Sequence, residues 1–565
     1  MTQSYPPNRF WPRLVLAFAA GTISAAAFPP LGMAQLGWVV PALLFCVSGG
    51  NLGKHVFVCG YAAGFAQWLC TLYWLLLIPV AWYPVLGWLA LSAYLALYTG
   101  AWTWFVWRLV PTGTETGCHS GVRKMGVLHG LTEAPWHRQI AWAIACAAAW
   151  VALEMARARL LTGFPWLPLG TSQYKLTELI QIASITGVYG ISFLMVWASL
   201  GALVGVTVAL RRAWRRPNWL LHLGLPLIAI AAVSVWGAAR LDDKLESSRH
   251  IKLALVQPSI PQTMIWDPRE NATRFSKLIE LSQRALAGKP DLLVWPEAAL
   301  PSFDAGSYAT ITNLVGTHRV WMVFGADEAE PRADAQGEPE YNYYNSAVLL
   351  DRAGAFIGTY RKRHLVMFGE YVPLSEWLPF LRHFTPVQGG FTPGDKPTEF
   401  TLDDLQVKFS VLICFEDIFP GLTRQSVGPD TDFVLNLTNN GWFGESAAQW
   451  QHAITALFRA VETGVPLVRC SNNGLTCWID RCGRIRQVFR DSTGTIYGSG
   501  IMQVALPLTK RTGHSVITFY RKHGDLFGWA CVATAVGTIG FVILKQSNRG
   551  SQSARASEKI QASSE

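Results

Sequence analysis

The fold of this chain is decided by the stretch FSVLICFED at residues 409–417. Its first five residues are almost wholly apolar, which is typical of a short buried strand. A thiol follows at Cys414, and carboxylates follow at Glu416 and Asp417. Because α/β proteins place reactive groups at strand ends, this position predicts a nucleophile in an α/β layered domain.

Two further blocks carry charged groups just past strand-like apolar runs. They are LLVWPE at residues 292–297, which ends in Glu297, and YRKRHL at residues 360–365, which contains Lys362. With Cys414, these residues would supply a general base, an electrostatic stabiliser and a nucleophile for acyl transfer. Taken singly, each also fits a structural role: a packed thiol, a carboxylate in an ion pair, or a lysine in a solvated turn.

The residues around these blocks alternate between strand and helix patterns. Strands are predicted at 251–257, 292–295, 320–325, 409–413 and 433–437, a hairpin at 344–360, and an amphipathic helix at 271–286. Alternating strands and helices are typical of a layered α/β domain. We therefore expect such a domain at residues 240–520.

The composition indicates that the rest of the chain lies in a membrane. Hydrophobic residues make up 51% of the 565 residues and charged residues only 15%, against about 25% charged residues in soluble domains. Apolar segments occur at 12–28, 36–47, 56–80, 85–110, 140–153, 188–210, 219–239 and 526–544. Segments of about 20 residues can cross the hydrocarbon core, whereas the second and fifth are short. Eight spans are predicted, with six or seven as alternatives.

The distribution of Lys and Arg predicts the orientation of these spans. With eight spans, most basic residues fall on one side, including Arg9, Arg13, the four arginines between 211 and 216, and Lys545. The positive-inside rule then places both termini in the cytoplasm and residues 240–520 outside. The formal charge of +10 is explained by this topology better than by nucleic-acid binding, which is not expected.

The predicted domains follow from these patterns. They are a membrane domain at 1–239 with about seven transmembrane helices, a catalytic domain at 240–520, a last transmembrane helix at 521–545 and a disordered cytoplasmic tail at 546–565. The ten Cys residues are dispersed and predict no metal site. Cys477 and Cys482 are close enough to pair if they face an oxidising compartment, and the sequence leaves this open.

Several motifs resemble those of the nitrilase superfamily and, more closely, of its membrane-embedded branch, the bacterial apolipoprotein N-acyltransferases. They are HLVMFGEYVP at 364–373, TNNGWFG at 438–444, GFPWL at 163–167, GVYG at 187–190 and YRKHGD at 520–525. The resemblance covers nearly the whole chain except the termini and the loop at 111–138. Met367, Phe415 and Asn440 depart from the family pattern, where Pro, Tyr and Asp are usual.

The resemblance implies a nitrilase-like αββα sandwich joined to the multi-span α-helical membrane domain, and an exchange of acyl groups without a cofactor. Cys414 would form a thioester with an acyl chain of a membrane phospholipid, Glu297 would act as base, and Lys362 would stabilise the oxyanion. The acceptor would be the N-terminal amine of the diacylglyceryl-Cys of an apolipoprotein. Supporting or substrate-binding roles are implied for Glu370, Tyr371, Trp266 and Glu416. The expected location is the inner membrane, with the catalytic domain in the periplasm, and a monomer is expected.

Two other functions compete with this interpretation. A membrane-anchored amidase of the nitrilase type would hydrolyse a small amide, although a simple anchor needs only one span. A transporter or receptor with an external ligand-binding domain would need ionisable residues within several spans, and few are present. The apolar loop at 374–391 is predicted to be a lid that meets lipid at the membrane surface.

Overall fold

The structure is a computed structural model. It describes residues 10–49, 52–111, 127–212, 218–241, 249–333, 339–373, 377, 380, 390–508 and 517–562. Most of the predicted lid at 374–391 therefore lies outside the described residues.

The described residues between 10 and 241 form α-helices, 3-10 helices and connecting turns. The helices are α1 (Phe10–Ala25), α2 (Val40–Ser48), α3 (Gly53–Thr71), α4 (Tyr83–Arg108), α5 (Val127–Glu133), α6 (Trp136–Arg157), α7 (Thr177–Ile180), α8 (Ala183–Thr186), α9 (Tyr189–Arg212) and α10 (Trp219–Leu241). Their apolar composition makes helix the only local structure that can satisfy its own backbone groups in lipid.

Five helices of the described residues are long and apolar enough to cross a membrane. They are α4, α6, α9, α10 and the first 20 residues of the C-terminal helix α17 (Leu526–Ala562). The segment at 36–47, predicted as a span, instead forms a 3-10 helix at Ala34–Trp38 followed by the nine-residue α2. At 1.5 Å per residue, α2 is about 14 Å long, half of the hydrocarbon thickness. The total number of spans stays a prediction.

Between α10 and α17 the chain forms two six-stranded sheets. The strands are β1 (Arg249–Gln257), β2 (Leu292–Val294), β3 (Trp321–Ala333), β4 (Pro339–Leu350), β5 (Phe356–Arg361), β6 (Glu399–Leu402), β7 (Val407–Ile413), β8 (Phe433–Thr438), β9 (Leu467–Ser471), β10 (Cys477–Ile479), β11 (Ile485–Val488) and β12 (Gly500–Leu508). Their orders are β12-β1-β2-β3-β4-β5 and β11-β10-β9-β8-β7-β6. The central strands β1, β2 and β3, and likewise β7, β8 and β9, are parallel.

Helices cover the outer face of each sheet. The helices of this part of the chain are α11 (Gln262–Ile265), α12 (Asn271–Leu286), α13 (Ala305–His318), α14 (Pro420–Ser426), α15 (Ala448–Thr463) and α16 (Phe519–His523). Of these, α12 and α13 pack on the first sheet and α15 packs on the second. One core lies between the two sheets, where Leu255 and Val411 are buried. A second core joins the first sheet to α12 and α13. The layers are therefore α–β–β–α.

The third core joins the second sheet to the membrane helices through α15. It contains Leu412 from β7 and Leu457 and Val461 from α15. From the membrane domain it contains Val188, which directly precedes α9, and Leu194, which lies within α9. Because strand side chains alternate, Val411 and Ile413 face the first sheet while Leu412 faces α15. The sandwich thus rests on the membrane domain through the helix layer behind the Cys414 strand.

The C-terminal segment differs from its prediction. Helix α17 continues to Ala562, past residue 545, the predicted end of the last transmembrane helix, and the disorder of the tail stays a prediction. Ala, Gln, Lys and Glu favour helix, and extending an existing helix needs no new nucleus. Cys477, in strand β10, and Cys482, beyond the end of that strand, are both free and buried.

Candidate active site

The three residues predicted to act together lie just past the carboxyl ends of three strands. Glu297 follows β2, Lys362 follows β5 directly, and Cys414 follows β7 directly. Lys362 Nζ is 3.2 Å from Glu297 Oε1, and the Lys362 and Cys414 side chains interact electrostatically. The structure therefore brings the carboxylate, the ammonium and the thiol into one site.

Hydrogen bonds hold both carboxylate oxygens of Glu297. Oε1 accepts from Asn345 Nδ2 at 2.8 Å, and Oε2 accepts from the Asn439 backbone N–H at 2.8 Å. Glu297 is 6% exposed. These donors fix the position of the carboxylate, which is the group that would accept a proton from the thiol.

Lys362 is enclosed by two carboxylates and is only 1% exposed. Its Nζ donates to Glu370 Oε1 at 2.7 Å as well as to Glu297. Burial disfavours the ammonium, but the charges of Glu297, Glu370 and Cys414 outweigh burial and raise the pKa of Lys362 well above its usual value. Lys362 is thus a permanent positive charge beside the thiol.

Cys414 has a strained backbone and retains some exposed surface. Its φ angle is 55°, in the left-handed region that L-residues seldom adopt and that occurs often at functional sites. Asn436 Nδ2 holds the Cys414 carbonyl oxygen at 2.8 Å, and Thr438 Oγ1 lies 3.5 Å from Sγ. Cys414 is partly exposed, whereas Glu297 and Lys362 are buried. An incoming reactant can therefore reach the thiol first.

The Cys414 thiol is protonated in the resting site. Burial raises the pKa of Cys414 to about 12, the negative charge of Glu297 adds to this effect, and Lys362 opposes it. The thiol form therefore dominates at pH 7. A base must therefore take the proton during attack, and Glu297 is the adjacent candidate.

Glu416 connects the segment that carries Lys362 to the segment that carries Cys414. Its carboxylate accepts hydrogen bonds from Ile413 N, Arg363 N, His364 N and Tyr360 Oη, at 2.8 to 3.0 Å. It is fully buried, and burial raises its pKa. Glu416 therefore ties these two segments together, and its predicted supporting or substrate-binding role stays a prediction.

Within the described part of the chain, no hydrogen bond joins the other two predicted residues, Tyr371 and Trp266, to the central three. The Tyr371 hydroxyl interacts with Thr162, in the loop that precedes the GFPWL motif. Trp266 is 41% exposed and packs edge-on against Trp442, with ring centroids 5.0 Å apart. Both therefore lie around the site, and their predicted roles stay predictions.

Sequence reasoning missed Asn345 and Asn439. Asn345 Nδ2 bridges Glu297 and Glu370, at 2.8 and 3.0 Å. Asn439 belongs to the TNNGWFG motif quoted for the resemblance, so a signal was present there. Asn345 lies within β4 opposite Asp327 of β3, and only the sheet register places it beside the carboxylates. Among the described residues, no group of three or more His, Cys, Asp and Glu could hold a metal ion.

Comparison with known proteins matches both parts of the chain. A family model described as Apolipoprotein N-acyltransferase N-terminal domain matches residues 20–201, and one described as Carbon-nitrogen hydrolase matches residues 252–543. The chain is 35% identical to the apolipoprotein N-acyltransferase of Geobacter metallireducens, over 92% of this chain and 93% of that protein. This chain belongs to the apolipoprotein N-acyltransferase family. The predicted resemblance and the predicted fold class are thereby confirmed.

Other relatives show the same relationship. The apolipoprotein N-acyltransferase of Rhodopseudomonas palustris is 31% identical, over 91% of this chain and 92% of that protein. Among solved structures, an amidase from Nesterenkonia sp. is 18% identical with a TM-score of 0.34, covering 47% of this chain and 93% of the amidase.

Proposed function

We propose that this chain transfers an acyl chain from a membrane phospholipid to the N-terminal amine of the diacylglyceryl-Cys of apolipoproteins, through a thioester on Cys414. One observation carries the proposal. In a family member matched over both domains, Lys362 Nζ lies 3.2 Å from Glu297 and beside the Cys414 thiol. These are the groups that acyl transfer through a thiol requires.

The first half-reaction forms the thioester. Cys414 Sγ attacks an ester carbonyl of the phospholipid while Glu297 takes the thiol proton, and Lys362 stabilises the negative oxygen of the tetrahedral intermediate. When the intermediate collapses, the C–O bond breaks and the leaving glycerol oxygen receives the proton from Glu297. A lysophospholipid departs, and the acyl chain stays on the enzyme.

The second half-reaction forms the amide. The acceptor amine attacks the thioester carbonyl, Glu297 accepts a proton from the amine, and Lys362 again stabilises the oxyanion. The C–S bond breaks, and the sulfur of Cys414 recovers its proton from Glu297. A thioester suits this exchange because it keeps enough reactivity for an amine to attack.

We place residues 240–520 on the periplasmic side of the inner membrane. Arg211 and Arg212 end α9, two more arginines follow in the sequence at 215 and 216, and Lys545 lies at the end of the apolar part of α17. Both positions lie on the side of the membrane opposite the sandwich, because the chain enters the sandwich after crossing in α10 and leaves it to cross back in α17. The positive-inside rule then favours a cytoplasmic location for these basic residues.

The connection after α3 offers lipid a route to the site. Trp74 packs against Phe443, with ring centroids 4.5 Å apart, and Leu77 lies beside Gly444. Leu77 is 45% exposed, so an apolar surface runs from the membrane domain to the turn after Asn439. This contact supports a donor that enters from the bilayer rather than from water.

A donor-and-acceptor assay tests the proposal and separates it from the amidase alternative. The full-length protein in phosphatidylethanolamine vesicles is mixed with a synthetic diacylglyceryl-Cys peptide, and the products are identified by mass spectrometry. We expect one amide-linked acyl chain on the peptide and one lysophospholipid for each turnover. Release of free fatty acid with no acylated peptide, or hydrolysis of a small amide alone, would contradict the proposal.

A further inference from the structure

A sealed polar cluster lies directly behind the catalytic turn. We call it the His452 cluster, and it contains His452, Asp417, Asn440 and Arg469. His452 Nε2 lies 2.8 Å from Asp417 Oδ1, its Nδ1 lies 3.2 Å from Asn440 Oδ1, and Asp417 is also paired with Arg469. All four side chains are at most 2% exposed. The catalytic steps above use none of these residues.

The imidazole of His452 is neutral in this environment. Burial lowers the pKa of His452 to about 4, and Arg469 already neutralises Asp417. Nε2–H therefore donates to Asp417, and Nδ1 is left as an acceptor. Asn440 Nδ2 is buried and, among the described residues, has no partner. With the Asn440 amide turned by 180°, Nδ2 donates to His452 Nδ1 and both groups are satisfied.

The cluster touches the supports of both the nucleophile and the base. Asp417 lies three residues after Cys414 in the same 3-10 turn, and the His452 ring interacts with the Cys414 backbone. On the other side, Asn440 follows Asn439, whose N–H holds Glu297 Oε2 at 2.8 Å. One imidazole thus connects the turn that bears the thiol to the turn that holds the carboxylate.

The membrane domain packs against the same imidazole. The Trp166 ring, in the loop after α6, lies over His452 with centroids 5.7 Å apart. Trp166 Nε1 donates to Gln451 Oε1 at 3.0 Å, and Trp74 Nε1 donates to the same oxygen. Gln451 Nε2 in turn donates to the backbone oxygens of Pro29 and Thr71. Three segments of the membrane domain therefore converge next to His452: residue 29, residues 71–74 and residue 166.

We propose that His452 is a positioning residue for acyl transfer, which holds the Cys414 turn and the Asn439–Asn440 turn in register, and that Trp166 of the membrane domain keeps its ring in place. This inference rests on the proposed function, since its measured step is thioester formation on Cys414. The physical basis is that a small misplacement of reacting groups slows a reaction far more than it weakens substrate binding.

The test compares single-turnover formation of the acyl-Cys414 thioester in full-length variants with phosphatidylethanolamine vesicles. His452→Phe keeps a ring but removes both nitrogens, whereas His452→Gln restores one donor toward Asp417. Trp166→Leu removes the ring over His452, and Trp166→Phe keeps one. Thr455→Val is the matched control, because Thr455 lies on the same helix and its buried hydroxyl bonds only to the Gln451 carbonyl.

We expect His452→Phe to slow thioester formation about 10- to 100-fold, the loss expected for a hydrogen bond to a charged group. The half-saturating lipid concentration should not change, and His452→Gln should recover most of the rate. Trp166→Leu should be slower than Trp166→Phe, and Thr455→Val should match the wild type. If His452→Phe does not fold, the two Trp166 variants and His452→Gln carry the test.

Three results would overturn the inference. They are equal rates per folded molecule in the wild type and His452→Phe, a raised half-saturating lipid concentration with an unchanged rate constant, and equal rates in both Trp166 variants. If the wild type itself forms no lipid adduct on Cys414, the proposed function fails instead, so the two failures are distinguishable.

Discussion

Two buried clusters of oppositely charged side chains in this molecule have different roles, one reactive and one structural. In the active site, the Lys362 ammonium contacts two carboxylates, Glu297 and Glu370, at 3.2 and 2.7 Å. At the contact between the sandwich and the membrane helices, Arg459 Nη2 pairs with the single carboxylate of Glu462 at 2.7 Å. Both cations are at most 2% exposed. Burial and pairing alone therefore do not distinguish a reactive site from a structural one.

The difference lies in charge balance and access. Backbone groups add to the Arg459–Glu462 pair, because Arg459 Nη1 donates to the Ile418 oxygen and Glu462 Oε1 accepts from the Val188 N–H. The active site carries one carboxylate more than its cation neutralises, and that carboxylate lies beside a partly exposed thiol. An excess carboxylate next to a reachable thiol can move a proton, whereas a balanced and sealed pair holds two domains together.

The largest expected effect is at the thiol itself. Cys414→Ser should abolish the amide-linked acyl chain on lipoproteins, because a hydroxyl in this site is far harder to deprotonate than a thiol. Mass spectrometry of lipoprotein N-termini should show that the diacylglyceryl group persists. Cys70→Ser is the control, since Cys70 is exposed and remote in sequence. Unchanged triacylation in a strain with no second enzyme would contradict the assignment.

Glu297→Gln should slow thioester formation about 10²- to 10⁴-fold, the usual contribution of a general base. The amide keeps the shape of the side chain but cannot take the proton. Single-turnover mass spectrometry of the Cys414 peptide measures this rate. Glu280→Gln, at an exposed position of α12, should behave as the wild type, and a Glu297→Gln rate within threefold of the wild type would argue against the base.

The same variant should change simple thiol reactivity in the opposite direction. Because the charge of Glu297 raises the pKa of Cys414, removing it lowers that pKa and increases the thiolate fraction. Alkylation of Cys414 by iodoacetamide at pH 8 should therefore be faster in Glu297→Gln. In the wild type the rate should rise about tenfold per pH unit with no plateau up to pH 10, since the pKa is about 12. A plateau near pH 8 would contradict this electrostatic description.

Arg459→Met tests whether the Arg459–Glu462 pair stabilises the fold without taking part in the reaction. It leaves the Glu462 carboxylate buried without its cation, which should cost about 3–5 kcal/mol of unfolding free energy. The rate of thioester formation per folded molecule should change little. Thermal unfolding in detergent measures the first quantity, with the exposed Arg284→Met as control. An unchanged melting temperature would show that the pair does not hold the two domains together.

A smaller effect should appear in the pH dependence of stability. Burial raises the pKa of Glu462 to about 7, above its value in the unfolded chain, so the folded state binds more protons between pH 4.5 and 7. The contribution of Glu462 to the free energy of unfolding is thus fully present below pH 4.5. It falls as the pH rises from 4.5 to 7 and does not change further above pH 7. Relative to Glu462→Gln, the melting temperature of the wild type should fall across this range. A difference that does not vary with pH would contradict the shifted pKa.

The smallest expected effect is at the edge of the site. Trp266→Phe should change the rate of acyl transfer less than about threefold, because Phe keeps an aromatic contact with Trp442 that contributes about 1 kcal/mol. Steady-state transfer to the diacylglyceryl-Cys peptide measures this rate. A loss of more than tenfold would show that the indole of Trp266 itself contacts a substrate.

Particular residues show how far sequence reasoning reaches. The helix predicted at 271–286 has those bounds in the structure, since its apolar face and polar face are fully encoded locally. At 36–47, predicted as a span, the structure has the nine-residue helix Val40–Ser48 with Pro41 in its first turn, and the number of spans stays a prediction. Asn345 could not be predicted, because its contact with Glu297 depends on the pairing of β4 with β3.

The sequence by itself determined that apolar helices flank an α/β domain and that a carboxylate, an ammonium and a thiol follow three of its strands. Such features are local, since strand pattern and residue type can be read within ten positions. Only the tertiary structure decided which carboxylates surround Lys362, which asparagines hold Glu297, and that the membrane domain packs behind the catalytic turn. These depend on contacts between residues tens to hundreds of positions apart, and sheet register and packing set them rather than local pattern.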